Sequence, residues 1–482
     1  MASDESEEVT TKLKLTKLEC PFNWEMLDSL IKYIVTGSKY RDEEYADTVD
    51  IKSSYPLEVL LKCLYRCYKD VISADNDIAM KEIEKAEQIL MQIQQDQELH
   101  QIIRTIEHVF YATKCFLLYE SNNMDEIKEI LENIIDPKDF NDIESGALYG
   151  CKSSIWSCLH DFGIEEAIDT AKRAIKMNQD CALWHFILGK NLRRKRRATN
   201  VSSDVSDSEK NHFEIAHAIS KNQMFEVYYL QMCMESFKKF IRSRDYVIKK
   251  NANEREVISK AKKMLNTNPT DHKVLLKLAL IFLRTRISDE RYSAKKCLDA
   301  VNKIVPNNTT YLHYTAMLYE QSGDYKEAIK YFKKAAECNN LVAELSYIQY
   351  GWETGQLEPL PHLLRMLKKY DQSIKSRQIA MLLAIAVTYY SLHEDIPNAA
   401  EYFLKALEID PVHKKFQIYY KFLDFNTLNI SSFLNNYFCP LLEKKYPAHR
   451  ETCKKIKNLL NVKDITDLVE EMCGLSVEKK KF

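Results

Sequence analysis

The feature that most restricts this chain is a 34-residue period in its second half. With Thr309 as position 1, the segment to Val342 puts Leu312, Ala316, Tyr319, Ala328, Phe332 and Ala335 at positions 4, 8, 11, 20, 24 and 27. Gly323-Asp324-Tyr325 stands between two helical stretches. Small residues at 8, 20 and 27 let two antiparallel helices approach closely, and the large residues fill the space beside them. One such hairpin cannot bury its apolar face, so hairpins of this kind must stack.

This is the tetratricopeptide pattern, and its neighbours keep the phase. With His272 as position 1, Leu275, Leu278, Ala279 and Phe282 fall at 4, 7, 8 and 11, and Pro306 closes the unit. Ala399, Phe403, Ala406 and Pro411 fit 20, 24, 27 and 32. Ala167, Ala171 and Ala174 fit 20, 24 and 27, which starts the next unit at Ala182 with Leu188 and Gly189 at 7 and 8. Composition agrees. Among 482 residues there are 9 Gly and 11 Pro, where average usage gives roughly 34 and 24. Sandwiches and nucleotide-binding folds need turn glycines in number. The expected fold is all-α, a tetratricopeptide-repeat superhelix of stacked helical hairpins.

The expected organisation runs in four parts. Residues 1–145 form an N-terminal helical subdomain with degenerate repeats, where i, i+3 charge pairs such as Glu82–Lys85 support the helices. Residues 146–250 form a central subdomain interrupted by a solvated Ser/Asp-rich loop, Thr199–Asn211. Residues 251–424 carry the C-terminal array, with Asn251–Glu256 a candidate boundary. Residues 425–482 form a helical cap and a basic tail, Lys479-Lys480-Lys481.

Lys and Arg number 69 against 70 Asp and Glu, so no global field draws the chain to nucleic acid or membrane. The longest apolar run, Ile379 to Val387, is far shorter than the roughly 20 residues of a bilayer span. The N-terminus is acidic and polar, unlike a signal peptide. A soluble, cytoplasmic protein with reduced thiols follows as the expectation. The 13 cysteines show no CxxC, and Cys63 and Cys67, one helical turn apart, suit a core face. No phosphate loop, HExxH or GxSxG is present, and His212 and His217, the nearest histidine pair, lie on different helix faces. No enzymatic activity, metal or cofactor is expected.

Binding is better supported. In a tetratricopeptide array the first helix of each unit lines a groove, chiefly through positions 2, 5, 9, 12 and 13. In the unit at Ala182 these are Leu183, Phe186, Lys190, Arg193 and Arg194, and the basic run continues to Arg197. The unit at His272 gives Lys273 and Arg284, and the unit at Thr309 gives His313, Glu320 and Gln321. Guanidinium groups match phosphate oxygens bidentately, and a basic groove with aromatics suits a single strand. Two other readings of the basic run remain open: complementing a helix dipole at a solvated end, and nuclear import.

Leu18-Glu19-Cys20-Pro21-Phe22-Asn23-Trp24 resembles the LxCHFTW opening of the vertebrate interferon-induced proteins with tetratricopeptide repeats, with Pro21 and Asn23 departing from it. Cys151–Arg197 is also similar to that family through Trp156, Gly163, the AxxxAxxA pattern and Trp184 ahead of a helix ending in arginine. The resemblance extends weakly from about residue 13 to 420. It implies a non-catalytic, sequence-nonspecific antiviral effector that takes a 5′-triphosphate or an incompletely methylated cap of single-stranded RNA. A family phosphate-contacting arginine falls on Arg194. A family lysine falls on His160, a Tyr-Arg-Arg stretch on Tyr319-Glu320-Gln321, and a polar pocket residue on Gln349. The lost cations imply a weakened or altered site, which Lys190 and Arg284 could compensate. The alternative is a scaffold that grips a peptide partner, and the fold alone does not choose.

Overall fold

The computed structural model describes residues 2–37, 55–97, 99–199, 204–236, 244–285, 289–371, 373 and 375–461. The chain divides into two compact units, Met1–Arg197 with Ser202–Ser322, and Gly323–Phe482 with Ala198–Val201. The division falls at the turn inside the Thr309 repeat. There Gly323 has φ 77°, a left-handed backbone that glycine adopts without a Cβ clash.

The first unit begins with α1 (Ala2–Leu15), α2 (Leu27–Gly37), α3 (Pro56–Ile72), α4 (Asn76–Ile93), α5 (Ile103–Glu120) and α6 (Met124–Asn133). The expected Glu82–Lys85 pair forms, at 2.7 Å. Hairpins follow in register: α7 (Asp142–Trp156) with α8 (Ile164–Met177), α9 (Ala182–Thr199) with α10 (Asp207–Ile219), α11 (Gln223–Ser236) with α12 (Arg244–Asn266), α13 (His272–Arg284) with α14 (Arg291–Ile304), then α15 (Thr309–Gln321). Short polar side chains start these helices by taking orphan backbone N–H groups. Asn141 and Glu144 form a reciprocal capping box on α7, while Asp271 and Asn308 cap α13 and α15.

The repeat logic holds where hairpins close. Ala167, Ala174, Ala279 and Ala316 are fully buried, and Ala171 nearly so. At Gly150 a Cβ would lie 2.3 Å from the Trp184 ring, so α7 and α9 approach through the missing side chain. The N-terminal heptapeptide is a packing element. Phe22 stacks on Phe116 at 4.7 Å and meets Tyr68 edge-on at 5.1 Å. Trp24 donates from Nε1 to Glu19 at 2.7 Å. Cys63 and Cys67 are buried on one face of α3, and burial pushes both thiols up to about 12.

The second unit contains α16 (Tyr325–Glu337), α17 (Leu341–Glu353), α18 (Pro359–Lys369), α19 (Lys375–Leu392) and α20 (Ile396–Ile409). Its core centres on α19, where Met381 to Val387 are all buried. A two-stranded hairpin precedes its last helices. β1 (Tyr420–Phe422) and β2 (Phe425–Thr427) pair antiparallel with Tyr420 opposite Thr427. The short helices α21 (Ile430–Phe433), α22 (Cys439–Lys445) and α23 (Arg450–Leu460) follow. The basic tail, Lys479-Lys480-Lys481, lies outside the described residues.

Two expected interruptions are helical instead. Residues 207–211, read as loop, are the first turns of α10, because Ser206 accepts from the Glu209 N–H and caps them. Asn251–Glu256 lies within α12, which runs from Arg244 to Asn266 without a break. Among the described residues no helix is long and apolar enough to cross a membrane, and no group of three His, Cys, Asp or Glu could hold a metal ion.

Candidate anion-binding site

The inner helices of the first unit bring the predicted cations together, but around carboxylates. Arg193 is only 4% exposed, and its Nη2 donates to Glu235 at 2.8 Å. Arg196 donates to both oxygens of the buried Glu209, at 2.8 and 3.0 Å, and to Glu235 at 2.6 Å. Arg284 reaches Glu235 from α13 at 3.4 Å. Three guanidiniums from two helices thus converge on one carboxylate of a third. Burial pushes the Glu235 carboxyl up, but Arg193, Arg197 and Arg196 outweigh it and hold the group far below the usual carboxylate range. Burial also lowers Arg284, against the pull of Tyr314 and Glu235.

A second cluster forms where α3 meets α9. Lys190 donates to Glu58 at 2.7 Å across 132 residues of sequence, and Lys62 donates to the same oxygen at 2.8 Å. Lys273, at the start of α13, lies close enough to act on Glu58. Burial pushes Glu58 up, yet Lys190, Lys62 and Lys273 together hold it well below its ordinary value. Burial and the neighbouring Lys62 bring Lys273 down to about 7. The cleft here is lined by Leu57, Glu58, Lys62, Ser157, Cys158 and Lys190, among others. Its volume of about 20 Å³ holds about one water. Beside it, Asn191 is fully buried and accepts from Ser157 at 2.8 Å, while its Nδ2 meets no acceptor.

Aromatic rings sit among these charges. Lys277 Nζ lies 3.9 Å above the Tyr228 ring and Arg193 5.6 Å from it. Phe186, on the predicted groove stripe, packs against Phe225 and Tyr228 at 4.5 and 5.0 Å.

The other expected site residues scatter. Arg194 donates to the Ser157 carbonyl at 2.5 Å, which places it beside the α3–α9 cleft. His160 takes φ 50° and ψ −125° at a kink within the 3-10 segment Ser157–Phe162 after α7, a costly backbone for a residue with a Cβ. Its ring stacks on Tyr33 at 5.6 Å. His313 and Tyr319 are half-buried on α15, and Gln321 is tied to the Leu283 carbonyl at 2.7 Å. Gln349 belongs to the second unit, where it accepts from Leu423 N–H at 2.6 Å and donates to Glu353 at 2.6 Å, bracing the β-hairpin turn. His212 pairs with His185 at 2.9 Å rather than with His217. Burial and the facing His185 drop His212 to about 4.

Sequence reasoning missed Glu58, Lys62, Glu209 and Glu235. Helical phase alone carried a signal for Glu235: on α11 it stands one turn after Gln231 and two after Tyr228, all three buried. Nothing local marked Glu58.

The tetratricopeptide repeat family model matches residues 309–340. No curated protein matches the sequence. Among solved structures, the human IFIT1 dimer with m7Gppp-AAAA is similar over 96% of this chain and 99% of its own, at 14% identity and a TM-score of 0.63. The human IFIT1 dimer with PPP-AAAA covers 93% and 94%, at 12% identity and a TM-score of 0.61. A monomeric IFIT1 mutant with Gppp-AAAA gives 13% identity and a TM-score of 0.63. At such identities the likeness concerns the fold alone. Together with the repeat at 309–340 and the stacked hairpins, it establishes an all-α tetratricopeptide-repeat architecture for this chain.

Proposed function

We propose that this protein binds the phosphorylated or capped 5′ end of single-stranded RNA on the inner helices of its first unit, catalyses no reaction, and serves antiviral defence in the cytoplasm. The observation that carries the reading is the concentration of Lys62, Lys190, Arg193, Arg194, Arg196, Arg197, Lys273 and Arg284 around the fewer carboxylates Glu58, Glu209, Glu235 and Asp271. The chain's overall balance is −1, so this local excess is a property of the fold. Arg193 and Arg196 serve to position. Arg194 and Arg284, whose environments are less closed, are the phosphate donors of this reading, with the half-buried Tyr314 beside Arg284 as a stacking face. The solved IFIT1 complexes with capped and triphosphate oligonucleotides support the same ligand class.

Short RNAs with 5′-triphosphate, cap or hydroxyl ends, titrated at two salt concentrations, test it. End-dependent binding is expected, with log affinity falling by roughly 0.7 per log of salt for each neutralised phosphate. Arg194→Gln and Arg284→Gln each weaken binding by about ten- to a hundredfold, since a charge-assisted bond is worth ~1.5–3 kcal/mol. Absence of any end preference overturns the reading. A peptide groove would show little salt dependence. Charge reversal at Arg193 is unsuitable, because it would set a carboxylate against buried Glu235.

A further inference from the structure

We infer that Lys62, Lys190 and Lys273 form an oligophosphate subsite which the chain fills with its own carboxylate, Glu58. The inference rests on the proposed function and deepens it by naming a regulation of that surface. Glu58 lies in the first turn of α3, yet its oxygen accepts from Lys190 of α9 at 2.7 Å as well as from Lys62 at 2.8 Å. Lys273 approaches from α13. Ammonium groups from α3 and α9 therefore meet on one carboxylate oxygen, with a third on α13 near enough to act on it, and such a cluster of donors matches the oxygens of a terminal phosphate.

The ion cluster lies at the edge of a cleft whose other walls are largely apolar, with Leu57, Leu61, Leu183 and Ile187 among them. The side chains of Glu58, Lys62 and Lys190 are 19%, 14% and 16% exposed, so charges here are weakly screened. Ser154, Ser157 and Cys158 line the same cleft. Next to Ser157, the buried Nδ2 of Asn191 meets no acceptor among the described residues, a donor left for something else. The cleft itself is small, about 20 Å³, with the Glu58 carboxylate in its wall.

Charge explains how such a plug would act. With Glu58 in place, and Asp271 engaged in capping α13 beside Lys273, the cluster is close to neutral. A single-charge phosphodiester gains little by displacing one carboxylate. A tri- or diphosphate end carries several charges, and it displaces Glu58 by offering more acceptors to the same lysines. Glu58 is thus a specificity-determining residue, favouring multiply charged ends over internal phosphates. Lys273 adds a pH dependence. It is largely neutral above about 7 and charged below, so oligophosphate binding strengthens as pH falls through that value. The groups facing it are Lys62, Lys190, Glu58 and Asp271.

The test uses full-length protein, with inorganic tripolyphosphate and 5′-hydroxyl RNA as probes and calorimetry as readout. Glu58→Gln keeps the shape and removes the charge. It is expected to bind tripolyphosphate at least about tenfold tighter than wild type, the scale set by one unit charge removed at contact distance. It is also expected to bind 5′-hydroxyl RNA more tightly, so that the preference for triphosphate ends shrinks. Lys190→Gln in the same background removes the gain. Equal or weaker tripolyphosphate binding by Glu58→Gln overturns the inference, even where RNA binding by wild type supports the proposed function. Tighter tripolyphosphate binding without any RNA binding leaves the subsite standing and overturns the RNA reading instead. Should Glu58→Gln fold poorly, Glu58→Asp, which withdraws the carboxylate by one methylene, gives the same comparison, with an intermediate gain expected and no gain overturning the inference.

Discussion

Glu235 in the first unit and Glu344 in the second do opposite jobs with the same side chain. Glu235 is 3% exposed and is held by Arg193, Arg196 and Arg284. Glu344 is 18% exposed and is met by Lys369 and the Tyr370 hydroxyl, each at 2.9 Å. The second is an ordinary tie between helices, balanced one charge to one. The first is one anion shared by three guanidiniums. In the second unit Met381 to Val387 of α19 form an apolar core, as Val274 to Leu283 of α13 do in the first apart from Lys277. The first unit adds a buried ion cluster to such a core through the charged residues of α9 and α11.

The largest expected break in this contrast is Glu235→Gln. It leaves Arg193 buried without the Glu235 charge and Arg196 held by Glu209, which costs about 3–5 kcal/mol. Urea unfolding followed through the tryptophans of the first unit, Trp24, Trp156 and Trp184, reads it directly. Gly150→Ala comes next, because its Cβ would enter the Trp184 ring at 2.3 Å; overpacking of this kind costs about 1–3 kcal/mol. Its thermal midpoint would fall while oligophosphate binding stayed intact. Glu344→Gln in the second unit is expected to cost about 1 kcal/mol or less. If it costs as much as Glu235→Gln, the contrast between the units is lost.

Acid sharpens the same comparison. Glu58 and Glu235 are both held below 4.5, their value when unfolded. Their contribution is therefore complete above pH 4.5 and is lost as pH falls below it toward the folded-state values, because the unfolded chain takes up protons that the folded one refuses. Hydrogen exchange measured helix by helix between pH 6 and 3 should show α3, α9 and α11 losing protection before α19. The smallest effect belongs to exposed pairs such as Lys405–Glu401, where removing either charge shifts stability by about 0.5 kcal/mol at most.

Much of the architecture was legible because its causes are local. The AxxxAxxA pattern at Ala167, Ala171 and Ala174 acts within a few residues, and the structure buries all three as the pattern requires. The candidate site was legible only in outline. Repeat phase put Lys190, Arg193 and Arg194 on the inner side of α9, but phase says nothing about burial, so Arg193 sits deep in an ion cluster. Gln349 shows the limit of carrying a position over by resemblance, for here it braces a hairpin in the other unit. The helix starting at Asp207 was hidden by composition, since the Ser and Asp residues that suggest a loop also cap helices.

What the amino-acid sequence determined by itself is the helical repeat: small residues at fixed spacing, few glycines, and polar caps, each working through contacts along one hairpin. What only the tertiary structure decided is the state of the charges. The partner of Lys190 is Glu58, 132 residues away, and the partners of Glu235 come from α9 and α13. Such pairings depend on how each hairpin is rotated against the next and on where α3 lies against α9. They decide which cations are already neutralised, and so what a ligand must displace in order to bind.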